Sequence, residues 1–220
     1  MKQPSPRAIH RLYLLLFALC LLPFLRLLLA AALNALRPDP VTLLAQATGS
    51  WSLKLLLLTL AFTPLRKLTG WHWLIRLRRT VALFTFFYVC LHFMTYLVFE
   101  QFFDWKEIGM DILRRPYVTA GFLSFALMVP LAVTSTNAMM RRLGGRRWKT
   151  LHRLTYLVAI LAVFHYFWLV KRDVTAPSIY GLVLMILFAA RIVDRPYKET
   201  WIAGRVEWVY SLARTAITRS

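Results

Sequence analysis

Three histidines sit where an imidazole is expensive. His92 lies in CLHFMTY, and His152 and His165 lie in LHRLTYLVAILAVFHYFWLVK, which runs from Leu151 to Lys171. His165 is surrounded by Phe164, Tyr166, Phe167 and Trp168. Ionisable side chains in segments this apolar are functional candidates by default. Three chemistries fit: axial ligation of haem iron, a relay for protons or ions, and structural hydrogen bonding. Iron ligation resolves the solvation problem most directly, because haem accepts one imidazole on each face. His10 and His72 lie in basic flanks and read as interfacial residues rather than ligands.

The elements that must position these residues are long apolar runs. The chain has 220 residues, 59% of them hydrophobic and 17% charged. About 20 residues at 1.5 Å each span a hydrocarbon core of about 30 Å. Six such segments can be counted: Leu12–Leu33, interrupted by Pro23 and Arg26; Gly49–Leu65, stopped at Pro64; Thr80–Phe99; Tyr117–Val133, with Pro116 as a first-turn residue; Leu151–Val170; and Ser178–Val193. The expectation is an all-α integral membrane protein, a bundle of six transmembrane helices. A membrane barrel would need alternating segments of about ten residues, which are absent. Residues 1–11 read as a cytoplasmic N-terminus, 12–193 as the membrane domain and 194–220 as a short cytoplasmic tail. No internal repeat or low-complexity tract is visible. The first apolar run is longer than the usual core of a cleaved signal peptide.

The net charge of +19 does not indicate nucleic acid. The basic residues flank the spans instead of forming a stripe, and no nucleic-acid motif is present. They concentrate in the N-terminus, the second-to-third loop, the fourth-to-fifth loop and the tail, which the positive-inside rule places in the cytoplasm. The loop with Glu100, Asp104, Glu107 and Asp111 then faces outward. Cys20 and Cys90 lie in separate apolar runs and read as small core residues. No C-x-x-C-H occurs, so covalent c-type haem attachment is excluded.

On this topology the third and fifth spans cross in the same direction. His92 and His165 then lie at similar depth in the outer half, placed to clamp one planar cofactor between two helices. Phe93, Phe164, Tyr166 and Trp168 would wall it. His152 lies about 20 Å further in along the helix, at the depth of a second haem. Thirteen residues at about 100° each put His152 and His165 on different faces of an ideal helix. His152 is near the depth of Arg78 and Arg79 on the third helix; Arg78, fourteen residues from His92 and about 40° off its face, is always charged and a poor iron ligand. Arg26 could pair with a cofactor carboxylate or snorkel to a membrane face. The basic loop RRLGGRRWKTLH could hold haem propionates, a quinone headgroup or a flavin phosphate, or serve only as an orientation signal with anionic-lipid contacts.

Several segments together resemble a known family: LLPF, LHFMTY, RRPYVTAG, LAVTSTNAM and, most specifically, LGGRRWKTLHRLTYLVAILAVFHYFWLVK. They look like the haem-binding membrane subunits of the periplasmic protein-methionine-sulfoxide reductase system, the MsrQ family, within the ferric-reductase-like transmembrane domains. The resemblance runs from the first span to the sixth. It implies electron transfer from respiratory quinones, through b-type haem, to a periplasmic molybdopterin-containing reductase that repairs oxidised methionines. It implies a multi-pass protein of the bacterial inner membrane, with FMN also associated. It assigns His92, His165 and His152 to haem iron, one haem or two. In the wider superfamily two bis-histidine haems join the third and fifth helices; Arg78 stands where the inner partner of His152 would be. The chain would be a redox subunit, with sulfoxide chemistry left to the partner. The alternatives are a stand-alone membrane ferric or flavin reductase and, in a different class, a proton-coupled transporter with a histidine relay.

Overall fold

The computed structural model describes residues Pro4–Ile192. The tail expected at 194–220 lies outside them, as does Val193. Among the described residues the structure is all helical: α1 (Pro6–Ala32), α2 (Pro40–Thr69), α3 (Leu74–Thr95), α4 (Trp105–Arg114), α5 (Pro116–Val133), α6 (Asn137–Leu143), α7 (Gly145–Leu151), α8 (Leu154–Leu169) and α9 (Thr175–Ile192). A π-helical turn over Tyr96–Glu100 extends α3. Six stretches are long and apolar enough to cross a membrane, formed by α1, α2, α3 with its π-turn, α5, α7–α8 together, and α9. The protein is a multi-pass membrane protein.

The connections alternate between two ends. The six carboxylates of the described residues, Asp39, Glu100, Asp104, Glu107, Asp111 and Asp173, all fall at one, the acidic end. The α2–α3 turn and the α5–α8 connection, rich in Arg and Lys, define the basic end. Local chemistry sets the boundaries. Ser5 and Asp39 cap α1 and α2, each followed by a proline in the first turn. The Asp39 carboxylate accepts from the Thr42 side chain and its backbone N–H, which holds its pKa below the usual carboxylate range. Gly70, at φ 71°, closes α2 in the left-handed conformation that glycine adopts without penalty.

Two expected interruptions are not breaks. Pro23 lies inside α1 and Pro64 inside α2, which continues to Thr69. A proline in a helix leaves the carbonyl four residues earlier without its donor; a neighbouring helix supplies one at Pro64, and beside Pro23 a neighbour bridges the adjacent Cys20–Phe24 rung. Beside Pro23, the hydroxyl of the fully buried Tyr88 accepts from Phe24 N–H at 3.0 Å and donates to the Cys20 carbonyl at 2.8 Å. Beside Pro64, Arg191 Nη2 donates to the Leu60 carbonyl at 2.6 Å. Tertiary partners override the sequence-level stop in each case.

The core has two parts. Cys20, Leu55, Phe62, Leu77, Val81, Phe84 and Tyr88 join α1, α2 and α3. Leu56, Leu60, Met128, Leu131, Val158, Ala159 and Leu187 join α2, α5, α8 and α9. The tightest neighbours are α2 with α3 and α5 with α8. Small residues allow the close approach of α5 to α8, where the buried Ser124 hydroxyl donates to the Val158 carbonyl at 3.3 Å. Leucines 14, 15, 19, 25, 28 and 29 of α1 point outward, as lipid-facing side chains do. Both cysteines are free thiols.

Candidate functional site

The two helix pairs each carry an imidazole at matching positions. His92 on α3 lies against α2, and its Nδ1 is 3.0 Å from the Ala45 carbonyl. His165 on α8 lies against α5, and its Nδ1 is 2.7 Å from the Tyr117 carbonyl. A glycine stands four residues after each acceptor. A Cβ on Gly49 would come within 3.1 Å of His92 Cε1, and one on Gly121 within 2.8 Å of His165 Nδ1. The missing side chain therefore opens the groove through which the ring reaches a helical carbonyl. The same device, glycine plus the carbonyl one turn earlier, occurs in both pairs.

The hydrogen bonds fix the chemistry of the rings. A carbonyl can only accept, so each Nδ1 must carry the proton and each Nε2 must present its lone pair. The two ring centroids are 6.1 Å apart, with the planes at 77°. Two metal–imidazole bonds of about 2 Å each, with the ring radii, span about that distance. Among the described residues no group of three or more His, Cys, Asp or Glu could hold a bare metal ion. A haem needs less from the protein, because its porphyrin supplies the other ligands and two imidazoles complete the iron. The residues fit that group.

The aromatic residues expected to wall the pair take separate positions. Phe93 stacks on Phe125 at 4.5 Å and tilts against Phe122 at 6.2 Å. Phe164 and Trp168, expected to wall a cofactor, are 42% and 52% exposed and pack edge-on against each other on the outside of α8. Tyr166 leans on Tyr180 of α9. Aromatic type alone does not reveal which helix face a ring occupies.

His152 stands at the basic end, apart from the pair. It is the C-cap of α7, and the chain turns through Arg153 before α8 begins. Both residues keep helical dihedrals, with i→i+3 bonds from Arg153 to Thr150 and from Tyr156 to Arg153, so the winding here is tighter than in the ideal helix used for the angle between His152 and His165. The His152 ring stacks on Trp148 at 3.9 Å, and its Nε2 is 3.2 Å from Thr134 Oγ1. Trp148 Nε1 in turn donates to the Thr134 carbonyl at 2.9 Å, so the end of α5 organises both rings. Arg78 on α3 lies within electrostatic reach of His152, Tyr156, Arg191 and Arg66. His10 and His72 are exposed. Arg26 is exposed beside an apolar groove between α1 and α2 that also holds Trp51 and Leu55.

Gly49, Gly121, Thr134 and Arg191 were not singled out by the sequence. A pair of glycines one helical turn past the acceptor carbonyls is a usable signal only once the helix pairing is known.

Residues 48–163 match the family described as ferric reductase like transmembrane component. That stretch contains His92, His152, Gly49 and Gly121 and stops two residues short of His165. The chain is 47% identical over 191 residues to the protein-methionine-sulfoxide reductase heme-binding subunit MsrQ of Herminiimonas arsenicoxydans, covering 86% of this chain and 88% of that protein. It is 50% identical over 194 residues to MsrQ of Azospira oryzae, covering 88% and 83%. Against MsrQ of Ralstonia nicotianae the identity is 45% over 203 residues, covering 90% and 94%. The chain belongs to the MsrQ family. The match over nearly the whole length of these relatives includes both imidazole-bearing helices and the helices that support them.

Proposed function

We propose that this chain is the haem-binding subunit of a protein-methionine-sulfoxide reductase system and carries electrons across the bacterial inner membrane through haem b. The observation that supports this reading is the imidazole pair 6.1 Å apart with both Nδ1 atoms tied to backbone carbonyls. Bound haem supplies a one-electron couple at its iron. His92 and His165 would hold the haem iron through their Nε2 atoms. The Ala45 and Tyr117 carbonyls hold both rings in the tautomer that offers Nε2, and raise the basicity of that nitrogen. Gly49 and Gly121 keep those rings seated against α2 and α5.

His152 is the protein ligand of a second haem toward the basic end, with Arg78 beside it. Respiratory quinol is the electron donor. Arg146 and Arg147, in the basic connection between α5 and α8, offer donors to the phosphate of FMN. The acceptor is a periplasmic molybdopterin-containing methionine sulfoxide reductase, docked at the acidic end, where Asp104 and Glu107 give a negative surface. Both termini then lie in the cytoplasm, in accord with the basic loops.

The test is optical. Full-length protein purified from membranes should show a Soret band and a pyridine-haemochrome spectrum of b type. His92→Ala or His165→Ala should remove the haem they share; unchanged haem content in both variants would defeat the assignment. Proteoliposomes containing quinol and the purified partner should reduce methionine sulfoxide, and the same two variants should not support it.

A further inference from the structure

Arg191 occupies an unusual position. It lies in the last turn of α9, and its Nη2 is held by the Leu60 carbonyl that Pro64 leaves without a helical donor. Its guanidinium carbon lies 4.8 Å over the Tyr156 ring. These two contacts fix the group, yet its Nε and Nη1 are buried with no hydrogen-bond partner among the described residues. Buried donors left without acceptors are rare and costly.

Its neighbours increase the imbalance. The Arg78 guanidinium interacts electrostatically with those of Arg191 and Arg66, and with His152. Arginine stays protonated in proteins, so the repulsion cannot be relieved by losing a proton. Every carboxylate of the described residues lies at the opposite end of the bundle. A cationic cluster partly withdrawn from water, with fixed and unfilled donors, is complementary to an oxyanion.

We propose that Arg191 and Arg78 bind one oxyanion, a carboxylate or phosphate, carried by a ligand seated between α2, α3, α8 and α9 beside His152. The inference goes beyond the haem reading of the His92–His165 pair and does not depend on it. The oxyanion has three possible carriers: a haem through its carboxylates, a flavin through its phosphate, and a phospholipid. Asp194, Glu199 and Glu207, outside the described residues, are the competing source of negative charge.

The experiment uses Pro64→Ala as its background. Alanine restores an N–H to the Leu60 carbonyl, so removing Arg191 there leaves no bare acceptor in α2. Full-length wild-type, Pro64→Ala, Pro64→Ala/Arg191→Gln and Arg78→Gln proteins are purified in detergent. Haem is counted by pyridine haemochrome, flavin by fluorescence after denaturation, and lipid by bound phosphorus. Wild-type and Pro64→Ala proteins should carry the same complement. Pro64→Ala/Arg191→Gln, still monodisperse, should lose one of the three ligand classes by on the order of tenfold or more, and Arg78→Gln the same class. The class lost identifies the carrier, and the haem that depends on His92 and His165 should stay. Arg78→Gln carries the test alone if the double variant fails to fold, since Arg78 makes no bond to Leu60. Full retention in the variants, or a wild-type protein bearing none of the three classes, overturns the proposal; retention would assign the counter-charge to the tail. A wild-type protein without haem would sink the proposed function but leave the flavin and lipid arms readable.

Discussion

The two ends of the bundle solve the same problem differently. Toward the acidic end, two imidazoles are each supported by a glycine and a helical carbonyl, and both rings are internally satisfied at Nδ1. Toward the basic end, one imidazole leans on Trp148 and Thr134, and the facing residues are guanidiniums. The first arrangement needs only a metal centre between the rings. The second also needs negative charge. Near-identical devices on two helix pairs favour a rigid two-point clamp, whereas a lone ring with cations favours a site completed by its ligand.

That contrast can be broken most severely at the clamp. His165→Ala or His92→Ala is expected to abolish the haem signal of the pair, read as the Soret band of purified protein. Gly121→Ala should come next. In an ordinary helix this change stabilises by about 1 kcal/mol, but here the new Cβ would sit 2.8 Å from His165 Nδ1. The expected result has the opposite sign: lost haem and a lower unfolding midpoint in detergent. Gly49→Ala, with a nearest contact of 3.1 Å, should act in the same direction and less strongly. Equal tolerance of both alanines would show that the rings do not depend on those grooves.

Smaller effects should separate the ends. Thr134→Val removes the hydroxyl beside His152 Nε2 and should alter only spectral features that also respond to His152→Ala, leaving the His92–His165 signal intact. Tyr88→Phe leaves Phe24 N–H and the Cys20 carbonyl beside Pro23 without their bridge, at a cost of about 1–3 kcal/mol, measurable as reduced thermal stability with unchanged haem content. The smallest effect is expected at Asp39, outside the spans. Its folded pKa is depressed by its bonds to Thr42, so its contribution is present above the ordinary value of 3.8 and is lost as pH falls through the lower folded value. Asp39→Asn should keep the cap and remove that pH dependence, as followed by thermal unfolding across acidic buffers.

Much of this was legible in the residues. Length and apolar content gave six spans, and counting crossings placed His92 and His165 at one depth. The structure brings those rings together. Other features were hidden because they depend on which helix faces which. Pro64 reads as a stop until Arg191, far along the chain, is known to take up the released carbonyl. Gly49 and Gly121 read as weak helix formers until an imidazole is found in each gap. The angular mismatch between His152 and His165 assumed ideal α-helical winding, whereas i→i+3 bonds tighten the turn between α7 and α8. Phe164 and Trp168 have the composition of a cofactor wall but the placement of a lipid-facing surface.

The link between Leu60 and Arg191 also bears on biosynthesis. The second span enters the bilayer with a gap in its backbone ladder, and the side chain that closes it belongs to α9, 131 residues later in the chain. Until that span arrives, the gap is filled only by water or by transient partners. Synthesis of α9 is thus coupled to the closing of an early defect, and a product truncated before Arg191 would expose it to the machinery that clears unfinished membrane proteins.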